Sequence, residues 1–94
     1  MLIRIVNGEI IKILFEPNEE QVFVGDTLKL QDKNNNGVLA QIFKIDSSEK
    51  NPANNVANAR ILFTIQNSRL INWKGNVPSR EFKVSKISKK ELML

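Results

Sequence analysis

Short apolar runs follow one another along the chain, and in most of them apolar and polar residues alternate with a period of two. A β-strand with one buried face produces this period, because successive side chains point to opposite sides of a sheet. With turn-forming residues between the runs, the pattern predicts an all-β domain of six or seven strands. The candidate strands cover residues 2–6, 9–15, 21–24, 27–30, 38–45, 60–66 and 81–87.

The first two runs are separated by Asn7-Gly8. Both residue types tolerate a positive φ, so the pair predicts a β-hairpin with a type I′ turn, and a slower bend without strand pairing is the alternative. Along the second run, Ile11, Ile13 and Phe15 share one face by the two-residue period. The opposite face is also largely apolar, which favours a barrel or a packed sheet over an open one.

The run at 60–66 has the most regular alternation in the chain. It predicts that Ile61, Phe63 and Ile65 face the interior. The residues predicted to face outward are Arg60, Thr64 and Gln66. Six or seven such strands favour a small closed or partly open barrel, since closure removes edges that would otherwise recruit other chains.

Two stretches lack the apolar periodicity that would give them a buried face, and we predict irregular structure for both. Residues 46–58, rich in Asn and Ser, are expected to form a long surface loop, and residues 67–80 hold the single Trp. Asp26 and Asp32 occupy ordinary turn positions beside Gly and Asn.

The C-terminal residues carry a helix-start signal. Ser88-Lys89-Lys90-Glu91 matches the capping box, in which a Ser oxygen and a Glu three residues later each accept an orphan backbone N–H. Because an isolated helix shorter than about 12 residues is marginal, we expect a barrel domain at 1–87 and, at 88–94, the start of a helical linker to a following domain. The alternatives are a short terminal turn docked on the core and a chance match.

The composition removes several classes of chemistry. The chain has no Cys and no His, which leaves no disulfide, no thiolate metal site and no His general base. It also lacks a phosphate-binding Gly-rich loop and a convergent carboxylate cluster. We therefore expect no catalytic site, no cofactor and no metal. No apolar run approaches the roughly 20 residues that cross a bilayer, so no membrane contact is expected and the cytoplasm is the expected location.

The net charge of +4 is distributed unevenly. Residues 1–46 carry 5 basic and 7 acidic side chains, whereas residues 47–94 carry 9 basic and 3 acidic ones. A basic half attracts nucleic acid or an acidic partner by long-range steering. A solvated Lys-rich face is the structural alternative.

Two stretches resemble a known family. The first combines a Gly-Asp turn, Val24-Gly25-Asp26-x-Leu28, with the later strand Val38-Leu39-Ala40-Gln41-Ile42. This order resembles the barrel that opens HerA-type ATPases and the catalytic-ring subunits of rotary ATP synthases, called the HAS barrel. The second, Trp73-Lys74-Gly75-Asn76-Val77-Pro78-Ser79-Arg80, is similar to a Trp-x-Gly-x-x-Pro-Ser-Arg pattern in the N-terminal region of some bacterial HerA-like ATPases.

The resemblance covers nearly the whole chain and implies a non-catalytic barrel that helps to hold the subunits of a homo-hexamer together. It also implies an ATPase domain after Leu94 and docking of a NurA-like nuclease for DNA-end processing, with any contact to DNA indirect. The family's Walker motifs have no counterpart in these residues. The chain alone is therefore expected neither to hydrolyse ATP nor to translocate DNA.

The interaction candidates lie in the Trp-to-Arg stretch. Trp73 and Arg80 belong to the residue types that most often anchor interfaces, while Gly75 permits a turn and Pro78 stiffens the loop. The alternative is that Trp73 folds back as a lid on the barrel. A second functional hypothesis is an OB-like barrel that binds nucleic acid through a basic strip. Its residues are Arg69, Lys74, Arg80, Lys83 and Lys86.

Overall fold

The computed structural model describes residues 2–16, 21–47, 55–75, 77–79 and 81–87. These residues form seven strands, and no helix occurs among them. The strands are β1 (Leu2–Asn7), β2 (Ile10–Phe15), β3 (Thr27–Gln31), β4 (Gly37–Ser47), β5 (Asn55–Gln66), β6 (Arg69–Asn72) and β7 (Lys83–Ile87). The all-β prediction is confirmed.

All seven strands belong to one antiparallel sheet, in which six follow the order β1-β2-β5-β4-β3-β7 and β6 pairs with β5. Strand β5 pairs with β4 along one edge, while its other edge pairs with β2 in its first half and with β6 in its last four residues. Between these two partners the amide of Ile61 donates to the carbonyl of Glu9 at 2.8 Å. Within the described strands no ladder joins β1 to β7, so the barrel is partly open rather than closed.

The core lies on the inner face of this sheet. Apolar side chains from five strands form its main cluster, and many are completely removed from solvent. Its strand members are Ile3, Ile11, Ile13, Phe15, Leu28, Leu30, Val38, Ala40, Ile42, Ala57, Ala59 and Ile61. A single sheet without a covering helix buries residues this fully only when it bends round its own inner face. The predicted inward row of Ile11, Ile13 and Phe15 is confirmed.

Two β-bulges interrupt the pairing of β4 with β5. Ala40 pairs with Ile61 and Leu39 with Phe63, so Leu62 is the extra residue on β5. Ile42 pairs with Ala59 and Lys44 with Asn58, so Phe43 is the extra residue on β4. Each extra residue bends its strand and shifts the two-residue period by one position.

This shift overturns the predicted facing of the strand at 60–66. Ile61 belongs to the main core, but after the bulge Thr64 faces inward with 7% of its surface exposed, and Phe63 faces outward with 38% exposed. Ile65 is buried on the outer face, in a second cluster with Leu39 and Ile87. The prediction was wrong for Phe63 and Thr64, because it assumed an uninterrupted period; Ile65 is buried as predicted but joins the second cluster.

The first hairpin is confirmed, but its turn differs from the predicted one. Asn7 pairs with Ile10, which leaves Gly8 and Glu9 as the two loop residues. Of these two, only Gly8 has a positive φ, 61°. A loop with a positive φ at its first residue is of the II′ kind, in which glycine takes the position next to the strand.

Asp26 and Asp32 lie in turns, as predicted. Asp26 accepts a hydrogen bond from the Phe23 amide at 2.8 Å, and Asp32 accepts from the amides of Asn34 and Asn36, at 2.8 and 3.1 Å. Short acidic side chains stabilise turns in this way because they satisfy backbone donors locally.

Three predicted boundaries were wrong. Residues 21–24 form no strand, and residues 55–58, predicted as loop, begin β5. Within the stretch predicted to be irregular, Asn67 and Ser68, with φ of 51° and 63°, make a tight turn into β6. The predicted helix start at 88–91, and with it the division after residue 87, lies outside the described residues.

The bulge at Leu62 can be tested with two neighbouring substitutions. Strict alternation predicts that a lysine at position 63 destabilises the fold more than a lysine at position 64, and the assigned faces predict the reverse. Thr64→Lys should lower the free energy of unfolding by about 3 kcal/mol or more, because it places an ammonium group on the inner face. Phe63→Lys should lower it by only about 1 kcal/mol, because this side chain already contacts solvent. Urea unfolding followed by circular dichroism measures both, and greater damage from Phe63→Lys would contradict the assigned faces.

Candidate functional site

The loop after β6 holds the residues expected to make contacts, and it folds against the barrel. Trp73 is half-buried and packs against the main core. The amide of Lys74 donates to Oγ1 of Thr64 at 3.3 Å, which fixes the start of the loop to β5. Gly75 has a φ of 88°, in agreement with its expected role in a turn, and Pro78 is buried.

This geometry supports the lid interpretation of Trp73. The half-buried Phe82 packs against the same core, so the loop covers part of the barrel interior from both ends. Val77, with 51% of its surface exposed, is the large apolar side chain of this loop that contacts solvent. Arg80, the second predicted anchor, lies outside the described residues.

The four described residues of the predicted basic strip are distributed over three elements. Arg69 is on β6, Lys74 on the following loop, and Lys83 and Lys86 are on β7. Strands β5, β4 and β3 separate β6 from β7 in the sheet. Lys83 pairs with Gln31 and Lys86 with the buried Leu28, so the two lysines project to opposite sides of β7. All four are exposed, but the sheet does not align them in one row.

Lys86 is engaged by the segment before β3. Its ammonium nitrogen lies 3.1 Å from a carboxylate oxygen of Asp26, and it donates to the carbonyl of Gln21 at 3.1 Å. It also lies 5.6 Å from the centre of the Phe23 ring. These contacts hold the Gln21–Asp26 segment to the edge strand β7, and a partly exposed ion pair of this kind contributes at most about 1 kcal/mol.

A second cation and aromatic pair lies on the outer face of the central strands. The guanidinium carbon of Arg60 is 5.5 Å from the centre of the Phe43 ring, and 47% of Phe43 is exposed. Phe43 follows the inward-facing Ile42, so alternation points its ring outward, and the bulge at Phe43 keeps the next residue, Lys44, on the same outer face.

The outer face at the other end of β5 is apolar. Phe63 and Leu70, which we call the apolar patch, are 38% and 50% exposed. Phe63 pairs with Leu39, and Leu70 with Ile65, so the patch stands beside two residues of the second buried cluster. Exposed apolar side chains next to a buried cluster are typical of surfaces that contact another molecule.

One further depression is polar and shallow. It has a volume of about 380 Å³ and is lined by Gln66, Asn67, Arg69 and Ile71 on the β5–β6 hairpin. The described residues contain no group of three or more acidic, His or Cys side chains placed to hold a metal ion. Among them there is also no helix long and apolar enough to span a membrane.

No protein-family model and no curated protein matches the chain. What the chain does must therefore be argued from its own surfaces, and the similarity to HerA-type barrels rests on the sequence patterns alone.

Sequence reasoning missed Phe43, Phe63 and Leu70 as surface residues, and it placed Arg60 on the surface without assigning it to a site. A signal for the bulge at Phe43 is present: Ile45 follows Ile42 by three positions, and both contribute to the core, where an unbroken strand would space them by two or four positions. Leu70 was missed because Asn67-Ser68 is a weaker turn signal than Asn-Gly.

The position of Trp73 predicts a stabilising role. Trp73→Ala should lower the free energy of unfolding by about 2 kcal/mol, since truncation of a fully buried Trp costs about 3–5 kcal/mol and this one is half-buried. Val77→Ala, in the same loop, is the matched control and should change it by less than about 0.5 kcal/mol. Urea titration provides the measurement, and an unchanged midpoint for Trp73→Ala would show that the ring does not act as a lid.

Proposed function

We propose that the chain is a non-catalytic assembly barrel of the kind that opens HerA-like ATPases, and that it associates with further copies of itself through the apolar patch. The observation that carries the proposal is the exposure of Phe63 and Leu70 on a sheet face that is already apolar beneath them. Water contact with such side chains is unfavourable, and a second subunit removes it.

The geometry of the patch suits a partner with a flat surface. Phe63 and Leu70 project from adjacent strands, where β6 is paired with β5 through only four residue pairs. Phe63 pairs with Asn72 and Leu70 with Ile65, so the two side chains are diagonal neighbours on one face, about 7–8 Å apart, and this is close enough for one continuous contact area. Strand β6 pairs on its other edge with no described strand, which leaves backbone donors and acceptors for a partner.

The free energy gained by covering the patch determines how strongly it contributes to association. Complete burial of a large apolar side chain contributes about 1.5–3 kcal/mol, and these two are 38% and 50% exposed. Covering the remaining surface therefore contributes about 2 kcal/mol in all. That corresponds to a change of about thirtyfold in an association constant.

The similarity to HerA-type barrels extends the proposal to particular partners. The Gly25–Asp26 turn delivers the chain into β3, and Val38–Ile42 runs within β4, in the order that the family pattern has. In a longer protein, the barrel would contact the neighbouring subunits of a homo-hexamer and present its outer loops to a NurA-like nuclease. The nuclease is not needed for the self-association that the patch supports.

The proposal predicts a concentration-dependent mass for the 94-residue chain. Sedimentation velocity over a wide concentration range should show association of the wild-type chain, and the double substitution Phe63→Ser with Leu70→Ser should weaken it by about thirtyfold. Val77→Ser is the matched control: it removes a comparably exposed apolar side chain, 51% exposed, outside the patch.

Two results would contradict the proposal. A wild-type chain that remains monomeric at the highest soluble concentration would exclude self-association through this surface. Equal weakening of association by Val77→Ser would show that nonspecific hydrophobic contact, and not the patch, drives association. Circular dichroism of each variant establishes that the comparison is made between folded chains.

A further inference from the structure

Beyond assembly, the outer face of the three central strands combines positive charge with an exposed aromatic ring. Lys12 on β2, Asn58 on β5 and Lys44 on β4 lie in one row across the sheet, because the first pairs with the second and the second with the third. Arg60 is two residues from Asn58 on the same side of β5. We call Lys12, Phe43, Lys44 and Arg60 the basic face.

All four side chains of the basic face are exposed. The described strand residues add one carboxylate to this surface, Asp46, whose oxygen lies 3.5 Å from the Lys44 nitrogen. Both groups of this pair are well solvated, with 65% and 48% of their side chains exposed, so the pair is weak and Lys44 is able to turn to another anion. Three cations against one carboxylate leave the face positive.

The ring of Phe43 adds a second kind of contact. The guanidinium of Arg60 lies over it at 5.5 Å, an arrangement that holds the flexible arginine in place. Planar groups of both kinds, a phenyl ring and a guanidinium, are platforms on which nucleic-acid bases stack. The lysines on either side of Asn58 lie within reach of the backbone phosphates of such a strand.

Backbone hydrogen bonds place the segment before β3 next to the basic face. Gly25 donates to the carbonyl of Ile42 at 2.8 Å, and Ile42 donates to the carbonyl of Asp26 at 2.9 Å, so the segment before β3 extends the sheet up to the β4 bulge. Phe43 follows Ile42 directly, and Val24, with 61% of its surface exposed, precedes Gly25.

From these observations we propose that the basic face binds single-stranded nucleic acid, with a base stacked on Phe43 and Arg60 and phosphates bound by Lys12 and Lys44. A duplex presents its phosphates but keeps its bases stacked inside, so it would use the charges and not the ring. An acidic peptide would likewise use the cations and gain little from an aromatic ring that has no base to stack on. The combination therefore favours an unpaired strand, and it involves none of the residues of the predicted basic strip.

The experiment measures fluorescence anisotropy of labelled oligothymidine, oligouridine and a DNA duplex at several salt concentrations. The two single strands distinguish DNA from RNA as the source of the bound strand. Phe43→Leu keeps the apolar bulk and removes the ring, so it should weaken single-strand binding by about tenfold, within the range for loss of one stacked base.

Arg60→Gln and Arg69→Gln are matched variants, since each removes one exposed arginine from a strand. Arg60→Gln should weaken binding, because it removes the guanidinium beside which the base stacks, whereas Lys12→Gln, which removes a phosphate contact, should reduce the slope of log K against log salt by about 0.7. Arg69→Gln, on β6 and outside the basic face, should leave both the affinity and the slope unchanged.

The proposal would be overturned by any of these results: no single-strand binding at low salt, equal losses for the two arginine variants, or full affinity in Phe43→Leu. The last two would indicate attraction of any polyanion, acidic peptides included. Tighter binding of the duplex than of either single strand would also overturn it. This outcome is distinguishable from that of the assembly experiment, because Phe63→Ser with Leu70→Ser tests self-association without changing a residue of the basic face.

Discussion

The backbone hydrogen bonding of β5 is the constraint on which the rest of the structure depends. A strand buried in the middle of a sheet must satisfy donors and acceptors along both edges, and each orphan group costs about 1–3 kcal/mol. Strand β5 meets this requirement with three partners, β4 on one edge and β2 and β6 in succession on the other. The hydrogen bond from Ile61 to Glu9 continues the β2 edge beyond its last paired residue.

The bulges follow from this arrangement. One long strand that pairs with two shorter ones in succession must bend between them, and an extra residue is the usual way to bend a strand. The bulge at Leu62 moves Thr64 to the inner face and Phe63 to the outer one, and the bulge at Phe43 keeps Lys44 on the outer face beside the Phe43 ring. The two bulges that bend the central strands therefore also shape both proposed surfaces.

The sequence predicted the features that depend on a local pattern of apolar and polar residues. It did not predict those that depend on bulges and strand order. Ile11, Ile13 and Phe15 were placed correctly because β2 pairs with β5 without a bulge, so the period of two applies throughout. Phe63 was placed wrongly, since the sequence does not say which residue of β5 stays unpaired. The grouping of the surface residues could not be predicted for a related reason. Lys12, Lys44 and Arg60 lie together only because of the strand order, and tertiary packing determines the strand order.

The two surfaces lie on one strand, and this affects how they would act together. Phe63 of the apolar patch follows Arg60 of the basic face by three residues, a separation of about 10 Å along an extended strand. That distance is comparable to the Debye length of about 8–10 Å near physiological salt, so a subunit docked on the patch would add its charges to the field at the basic face. Each chain carries a net charge of +4, which opposes association. A bound polyanion would reduce that repulsion, and by reciprocity association would strengthen polyanion binding.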